Sequence, residues 1–478
     1  MMIEYLLHGP RTRAAWTFGA AVLALATLGA RQQPPQQTPT PAPQQPTELS
    51  AVIKNGGGAP TRLAVPSFIA LTNDAETAAI AKTIGQVLWD DLNYEREFEL
   101  IPRDTYATIP AAKSFTDVPM DRWHEIGADA LVVGTVEKTG AGIRVQVRLF
   151  RVATGQSAFG QEYSGSGANP RVYAHTISDE IHKQQRNLNG VARTKLAFDS
   201  DRDGERMGGT IEQRSTKEIY IADYDGENQK RITVNKSLNI TAAWSPDGRS
   251  IAYTSYRHGA PSIFISNIFA GTMEELTKTA PSTDSKTPRA SDSNFLPQWS
   301  PDGTRLCFMS NRDGNPEIYV ANRDGSNVRR ITTHPAGDVS CTWSPSGTQI
   351  AFVSDRSGAP QLYIVGADGL GLTRLSVGES YVDRPTWSPP PYNEIAFAAR
   401  TTSAGFDIKV FDFASSQVHA LTFGEGTNES PAWAPNGRHL AFSSTRAGKW
   451  QIFTVGRDGK NVRQITRSGN NYQPAWSK

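Results

Sequence analysis

Acidic residues alternate between Asp199 and Gly204 in a pattern that could bind calcium. The stretch reads Asp-Ser-Asp-Arg-Asp-Gly, and alternating oxygen ligands followed by a glycine open the calcium loop of EF-hand proteins. The twelfth position of that loop needs a bidentate glutamate, whereas this chain has Thr210 there. Because the stretch also aligns with residues 353–358, a turn that recurs along the chain, we favour an ordinary turn over a metal site.

Histidine and cysteine offer two further candidate sites. His175 and His182 are seven residues apart on a predicted helix, but no third ligand stands near them, so we expect a solvated helix face and no metal site. Cys307 and Cys341 could pair in an exported protein. However, Cys307 occupies a position where other repeats carry alanine, and Cys341 one where most carry proline. We therefore predict free thiols that fill small buried spaces.

Motifs for common enzyme chemistry are absent from the sequence. It contains no Gly-x-Ser-x-Gly, no Gly-x-x-x-x-Gly-Lys-Ser/Thr and no His-Glu-x-x-His. Basic and acidic residues nearly balance, at 49 and 47, which gives no sign of a nucleic-acid-binding or lipid-binding surface. We predict a protein that is not an enzyme, with no catalytic residue, no cofactor and no nucleic-acid partner.

Six tryptophans set the architecture. The spacings between them are 55, 44, 44, 46 and 43 residues, a period typical of β-propeller blades. They are Trp244, Trp299, Trp343, Trp387, Trp433 and Trp476. The first outer strands, from residue 196, lack a tryptophan strand ahead of them, and the last tryptophan strand lacks outer strands behind it. We therefore predict an all-β six-bladed propeller over 190–478, closed by its C-terminal strand.

The region before the propeller divides into three parts. Residues 1–30 hold an uncharged run of 17 after two arginines and are predicted to be a cleavable signal peptide, with an uncleaved anchor as the alternative. Residues 31–50 form a linker rich in proline and glutamine. Residues 51–187 are predicted to be a small α/β domain. Its predicted elements are strands over 62–71 and 98–101, a hairpin of 130–136 with 143–152, and helices over 74–92 and 170–185.

The segments that enter the innermost strands line the predicted mouth of the channel, where propellers bind partners. Their polar and aromatic residues vary between blades, which suits a protein-binding surface. The candidates for contact are Asn239, Asn294, Phe295, Val339, Tyr381, Asp383, Asn428, Glu429 and Tyr472. A glycan-binding propeller is the alternative, with Phe295, Tyr381 and Tyr472 as aromatic platforms. A detached peptidase propeller is a third hypothesis, against which the N-terminal domain argues.

Several motifs together resemble one family. Leu188 to Phe198, Ile221 to Gly226, Gly127 to Gly134 and Ile177 to Ile181, followed by Trp-Ser-Pro-Asp-Gly blades, closely resemble the TolB family of the Tol-Pal system. The resemblance implies a monomeric, non-enzymatic adaptor in the periplasm that supports outer-membrane integrity and constriction during cell division. It also implies that the lipoprotein Pal binds at the mouth, that TolA binds the N-terminal region, and that membrane association is indirect, through these partners.

Two features depart from the family pattern. The stretch 31–47 precedes Glu48, Leu49, Val52 and Ile53, which resemble the mature N-terminus and would form the TolA-binding or regulatory segment. In addition, about eleven extra residues fall within 278–294, ahead of an innermost strand. We expect this insertion to hang over the mouth and to modify the Pal site.

Overall fold

The computed structural model describes residues 60–140, 142–206, 216–277, 293–375, 377–402 and 405–478. The predicted signal peptide (1–30), the linker (31–50), the segment with Glu48, Leu49, Val52 and Ile53, position 210 and most of the insertion (278–292) lie outside the described residues. Within the described ranges, no helix combines the length and the apolar character that crossing a bilayer would require.

The N-terminal domain is a mixed sheet with helices on it. Its strands are β1 Arg62–Ala64, β2 Ile69–Ala70, β3 Glu99–Leu100, β4 Ala130–Thr139, β5 Gly142–Arg151 and β6 Gln156–Gly165. Its helices are α1 Ala75–Glu95, α2 Met120–Glu125 and α3 Arg171–Arg186, with a 3₁₀ turn at Arg103–Thr108. The strand order is β3-β1-β4-β5-β6, and β2 also pairs with β4. The pairs of β1 with β3 and β4 are parallel, whereas β4, β5 and β6 form an antiparallel meander.

Helix α1 begins where predicted because Asp74 caps it. The Asp74 carboxylate accepts a hydrogen bond from the Thr77 backbone N–H at 2.9 Å, which satisfies one of the free donors of the first turn. Ile80, Ile84 and Leu88 recur every four residues and are buried in the same core as the buried face of α3. The predicted strand over 62–71 is wrong in one respect. It is two short strands, because Pro66 between them has no N–H to donate to a ladder.

His175 and His182 contradict the prediction of a solvated helix face. Both side chains are buried, at 4% and 0% exposure. His175 Nδ1 lies 2.8 Å from a carboxylate oxygen of Asp91 on α1, and His182 Nδ1 lies 2.9 Å from the Ser178 carbonyl. These polar partners let the imidazoles lie in an interior that would otherwise exclude them.

The propeller has six four-stranded blades, as the tryptophan spacing predicts. Blade 1 contains β30 Asn471–Trp476, β7 Lys195–Ser200, β8 Glu218–Asp223 and β9 Lys230–Arg231. Blade 2 contains β10 Asn239–Trp244, β11 Ser250–His258, β12 Ala260–Asn267 and β13 Thr272–Glu275. Blade 3 contains β14 Asn294–Trp299, β15 Arg305–Ser310, β16 Glu317–Asn322 and β17 Arg329–Arg330. Blade 4 contains β18 Asp338–Trp343, β19 Gln349–Ser354, β20 Gln361–Gly366 and β21 Thr373–Arg374. Blade 5 contains β22 Val382–Trp387, β23 Glu394–Arg400, β24 Phe406–Asp412 and β25 Gln417–Ala420. Blade 6 contains β26 Asn428–Trp433, β27 His439–Ser444, β28 Gln451–Gly456 and β29 Arg463–Gln464.

The predicted closure is confirmed. Strand β30 pairs antiparallel with β7, with Trp476 opposite Leu196, so the C-terminal strand completes blade 1. Several of the tryptophans also join neighbouring blades. The indole N–H groups of Trp299, Trp343 and Trp433 each donate to a backbone carbonyl on the preceding innermost strand, at 3.2 Å. Each of these rings therefore fills the wedge between blades and carries a directional bond across it.

Cys307 and Cys341 form a disulfide, so the prediction of free thiols is wrong. Cys307 is on β15 of blade 3 and Cys341 on β18 of blade 4, with their Cα atoms 6.4 Å apart. Comparison with the alanine and proline of other repeats was informative about size. It did not show that these two positions face each other across a blade boundary.

Candidate functional site

The two ends of the channel differ in what covers them. Each innermost strand ends at its tryptophan, and the turns at that end contact the N-terminal domain. Arg96 forms an ion pair with Asp458 at 2.5 Å, and Arg171 pairs with Asp225, both carboxylates lying in turns between the third and fourth strands of a blade. The segments that enter the innermost strands lie at the other end. We call that end the mouth face, and it points away from these contacts.

The channel itself is narrow. One residue in each innermost strand sits in a β-bulge with φ between 51° and 61°, a conformation that costs energy for any residue other than glycine. These residues are Thr241, Leu296, Ser340, Arg384, Ser430 and Gln473. All six line a cavity of about 160 Å³, which is below the size range of pockets for small organic ligands. The mouth face, and not the channel interior, is therefore the surface available to a large partner.

Three of the predicted contact residues hold the scaffold. Asn239, Asn294 and Asn428 are buried, at 0–1% exposure, at the first position of their innermost strands. In blade 6 the Asn428 side-chain oxygen accepts from Arg446 at 3.0 Å, and Arg446 Nε donates to Ser444 at 3.1 Å. Arg202, Arg312 and Arg356 make the same pair of contacts in their own blades. The side chains of these asparagines are therefore buried in contacts that hold the entering segments.

Three more predicted contacts are also buried. Phe295 packs against Tyr256, with ring centroids 6.1 Å apart, and Val339 is fully buried. Tyr381 packs edge-on against Phe406 at 5.6 Å. Since Phe295 and Tyr381 are covered, they cannot serve as platforms for a sugar ring.

Asp383, Glu429 and Tyr472 keep part of their surface exposed. They occupy the second position of the innermost strands of three consecutive blades, 5, 6 and 1. Burial raises the pKa of the Asp383 carboxyl, and burial together with the nearby charge of Asp383 raises that of Glu429. Arg384 Nε lies 4.0 Å from an Asp383 oxygen, and its charge opposes the rise in both pKa values. This side of the mouth therefore holds two partly exposed carboxyl groups beside one arginine.

The carboxylates of Asp199 and Asp203, in the candidate calcium loop, already have partners within the protein. Asp199 is buried and lies 3.1 Å from Lys217 Nζ, and Asp203 accepts a hydrogen bond from the Tyr220 hydroxyl at 2.7 Å. Within the part of the chain that the structure describes, no three His, Cys, Asp or Glu side chains are grouped so as to hold a metal ion.

Two exposed apolar residues on the mouth face were not predicted. Phe423 and Val234 are 77% and 74% exposed, each directly after a buried threonine that begins an entering segment. The hydroxyls of Thr422 and Thr233 each accept from a backbone N–H of the third strand, at 2.9 and 2.8 Å, which fixes where the next residue emerges. The corresponding residues of blades 2, 3 and 6 are polar, namely Lys278, Thr333 and Arg467, whereas Val377 of blade 4 is apolar and buried. The sequence pattern alone therefore did not single out Phe423 and Val234.

The contact between the two domains contains a buried ionic network. Glu95, at the end of α1, is 5% exposed. Its carboxylate accepts from the Val191 backbone N–H at 2.7 Å, from Arg438 at 2.5 Å and from the Asn436 side chain at 3.3 Å. Burial opposes ionisation of Glu95, but His439, Arg438 and His182 outweigh it and hold its pKa below the usual value. The N-terminal domain is thus bound to blade 6 and to the interdomain linker through one carboxylate.

A second buried cluster joins α1 and α3 to blade 1. The Tyr224 hydroxyl donates to one Asp91 oxygen at 2.7 Å, and His175 Nδ1 lies 2.8 Å from the other. Burial raises the pKa of Asp91 to about 6, although His175 and Tyr224 act in the opposite direction. Ionising the Asp91 carboxyl in this buried contact is therefore unfavourable in free energy.

Two groups at the domain contact, His439 and Asp91, have shifted pKa values, and they should make the stability of the protein depend on pH in opposite directions. Burial lowers the pKa of His439 to about 4 from 6.5, so the stability it contributes above pH 6.5 is lost as pH falls through 4. The pKa of Asp91 is raised from 3.8 to about 6, so its contribution is present below pH 3.8 and is lost as pH rises through 6. Between pH 4 and 6 the two slopes oppose each other, and each amounts to at most about 1.4 kcal/mol per pH unit.

Single substitutions should separate these slopes. His439 stacks on Tyr94 at 4.5 Å, so His439→Phe keeps a ring there while removing the titration. Relative to the unaltered protein, its melting temperature is expected to rise on acidification from pH 6 to 4. The melting temperature of Asp91→Asn, again relative to the unaltered protein, should fall on the same acidification. Parallel pH profiles for the two variants, recorded by thermal unfolding in matched buffers, would contradict the assignment.

Comparisons with known proteins agree on one family. The family model described as "TolB amino-terminal domain" matches residues 49–158, and the one described as "TolB beta propeller domain" matches 163–291 and 211–478. Among curated relatives, "Tol-Pal system protein TolB" of Desulfosudis oleivorans is 34% identical, over 56% of this chain and 57% of its own length. The protein of the same name from Anaeromyxobacter dehalogenans (strain 2CP-C) is 32% identical, over 67% of this chain and 66% of its own. The chain thus aligns with less than two thirds of the length of either relative.

A solved structure supports the fold. The crystal structure of TolB from Acinetobacter baumannii superposes with a TM-score of 0.71 at 23% identity. The superposition covers 88% of this chain and 97% of the crystallised one. At that identity the likeness concerns the arrangement of the two domains' elements and carries no statement about partners.

Proposed function

Because the chain belongs to the TolB family, we propose that it is a non-enzymatic adaptor of the Tol-Pal system in the periplasm, which binds Pal at the mouth face. The observation that carries this proposal is the mouth face itself. It lies away from the contacts of the N-terminal domain, and it presents Phe423 and Val234 above a fixed scaffold. Large apolar side chains at a partly polar surface are the usual anchors of protein interfaces.

The proposed contact surface consists of five residues. Phe423 and Val234 supply apolar area, and Asp383, Glu429 and Tyr472 supply acceptors and an aromatic edge. The proposed role of the buried Asn239, Asn294, Asn428, Phe295, Val339 and Tyr381 is indirect, since they hold the entering segments in place. A partner that brings hydrogen-bond donors or a cation to Asp383 and Glu429 would bind there with favourable charge complementarity.

TolA is the second proposed partner. It would bind the N-terminal region, through the segment that contains Glu48, Leu49, Val52 and Ile53. Export by a cleavable signal peptide, monomeric behaviour and indirect membrane association belong to the same proposal, as do the roles in outer-membrane integrity and cell division. These points rest on family membership and on the sequence pattern of the first 60 residues.

Calorimetry with the soluble domain of the same organism's Pal tests the mouth-face proposal. The Phe423→Ala/Val234→Ala double variant should weaken binding at least tenfold, because interface anchors typically cost more than about 1.4 kcal/mol when truncated. Phe269→Ala is the matched control: Phe269 is 78% exposed, but it lies in the turn between β12 and β13, at the opposite end of the blades. Equal losses in both variants, or no loss in the double variant, would contradict the proposed face.

Binding to TolA is measured with the same protein preparation. Deleting residues 48–53 should abolish TolA binding. Deleting 280–290 tests the insertion separately, because the proposal expects Pal affinity to change when this segment is removed. Unchanged Pal affinity would mean that the insertion does not reach the Pal site.

A further inference from the structure

A pocket in the N-terminal domain stands apart from both the mouth face and the domain contact. It has a volume of about 490 Å³, within the range of pockets that hold small organic ligands. The sheet forms its floor and the 3₁₀ turn with the following segment forms its wall, and most of its lining is apolar. The apolar lining includes Phe68, Ile69, Tyr106, Ile109, Val118 and Trp123.

The pocket contains one cation with an incomplete set of partners. Arg103 lines it and donates to the Gln86 side chain and, at 2.7 Å, to the Gly85 carbonyl. Its Nε is buried and has no hydrogen-bond partner. Among the described residues, Arg103 forms no ion pair, and burial lowers its pKa although the charge of Asp90 opposes this. The Nε atom is buried even with the pocket empty, so an anion would bind at the two terminal nitrogens, each of which has a second N–H besides the one it donates to Gln86 or Gly85.

The lining also limits what kind of anion fits. A peptide would bring several backbone N–H and C=O groups that need partners when buried. The Tyr106 hydroxyl is already used, because it accepts from the Val65 N–H at 3.0 Å and donates to the Ile101 carbonyl at 2.9 Å. An unbranched apolar chain with a single carboxylate needs no hydrogen-bond donor or acceptor from the pocket beyond those that bind the carboxylate. The lining therefore favours that chemistry over a peptide.

We propose that this pocket binds a free fatty acid of medium chain length, with its carboxylate on Arg103 and its chain between the sheet and the 3₁₀ turn. The site is independent of the proposed adaptor function. It shares no lining residue with the mouth face, and it draws on a different part of the chain.

Calorimetric titration with decanoate, below its micelle concentration, tests the proposal. One decanoate should bind per chain, and Arg103→Gln should weaken binding at least tenfold. Arg122→Gln is the matched control, since Arg122 lies on α2 of the same domain and is exposed in a pair with Glu125. Decyltrimethylammonium, which has the same tail and the opposite charge, should not bind.

Further variants and probes keep the test decisive. Ala112→Leu narrows the pocket without touching the cation, so it should also reduce decanoate binding if Arg103→Gln fails to fold. Three outcomes would overturn the proposal. These are unchanged binding in Arg103→Gln or in Ala112→Leu, equal binding of the cationic probe, and tighter binding of an acetylated Gly-Leu-Leu peptide than of decanoate.

Discussion

Glu95→Ala is expected to lower the free energy of unfolding by about 3 kcal/mol, the lower end of the range for breaking a buried ion pair, because Arg438 would keep a second carboxylate partner in Glu97. Glu95 and Arg438 meet at the domain contact with little solvent access, and the same carboxylate accepts the Val191 N–H. The substitution would leave the buried Val191 N–H without its acceptor, and it would leave Arg438 with only its ion pair to Glu97, at 3.4 Å, and its bond to the Asn189 carbonyl, at 3.2 Å. The N-terminal domain should then separate from blade 6 at lower denaturant concentration.

The adjacent residue provides the control. Arg96 crosses the same boundary to Asp458, but both side chains are more than 40% exposed. Arg96→Ala should therefore cost no more than about 1 kcal/mol, as is usual for exposed ion pairs. Urea unfolding followed by hydrogen exchange would report each domain separately. Similar losses in the two variants would show that burial does not distinguish these contacts.

Removing the disulfide is expected to cost about 3–4 kcal/mol, the loop-closure value for a bridge spanning a few tens of residues. The sequence separation of Cys307 and Cys341 is 34 residues, and the bond joins blades 3 and 4. The Cys307→Ala/Cys341→Ala variant keeps small side chains in both positions. Its loss of stability should therefore come from the missing cross-link and not from a new clash.

Reduction provides the matching measurement. Dithiothreitol should lower the urea midpoint of the unaltered protein to that of the double variant and should leave the double variant unchanged. A midpoint that responds to the reductant in both proteins would contradict this, as would one that responds in neither.

The propeller was largely predictable from the sequence because each blade repeats the same sequence pattern. The period of the tryptophans gave the blade count, and the unmatched strands at the two ends gave the closure. The N-terminal hairpin of β4 and β5 was predictable because β4 begins with seven consecutive buried residues and β5 alternates between buried and more exposed residues. Strand β6 was missed because its residues are mostly exposed and polar, so it has little alternation to detect.

The candidate site was less predictable because roles depend on which residues meet. Asn294 and Asn428 were interpreted as variable surface residues, yet an asparagine or aspartate recurs at that register in five blades and accepts from an arginine of its own blade in four of them. Recurrence at one register indicates a scaffold role, whereas the register of Phe423 is apolar in three blades and polar in three, so the sequence carried no comparable indication there. His175 could not be interpreted correctly without its partner Asp91, which is 84 residues away in the chain.

The closure of the ring has a consequence for how the chain is made. Strand β7 is synthesised early, but its partner β30 begins at Asn471, 271 residues after β7 ends at Ser200. Until β30 exists, β7 presents an unpaired edge that can recruit strands from other molecules. Pairing across so long a loop is also slow to form. Closure of the ring therefore depends on keeping the edge of β7 free of other strands until β30 is available to pair with it.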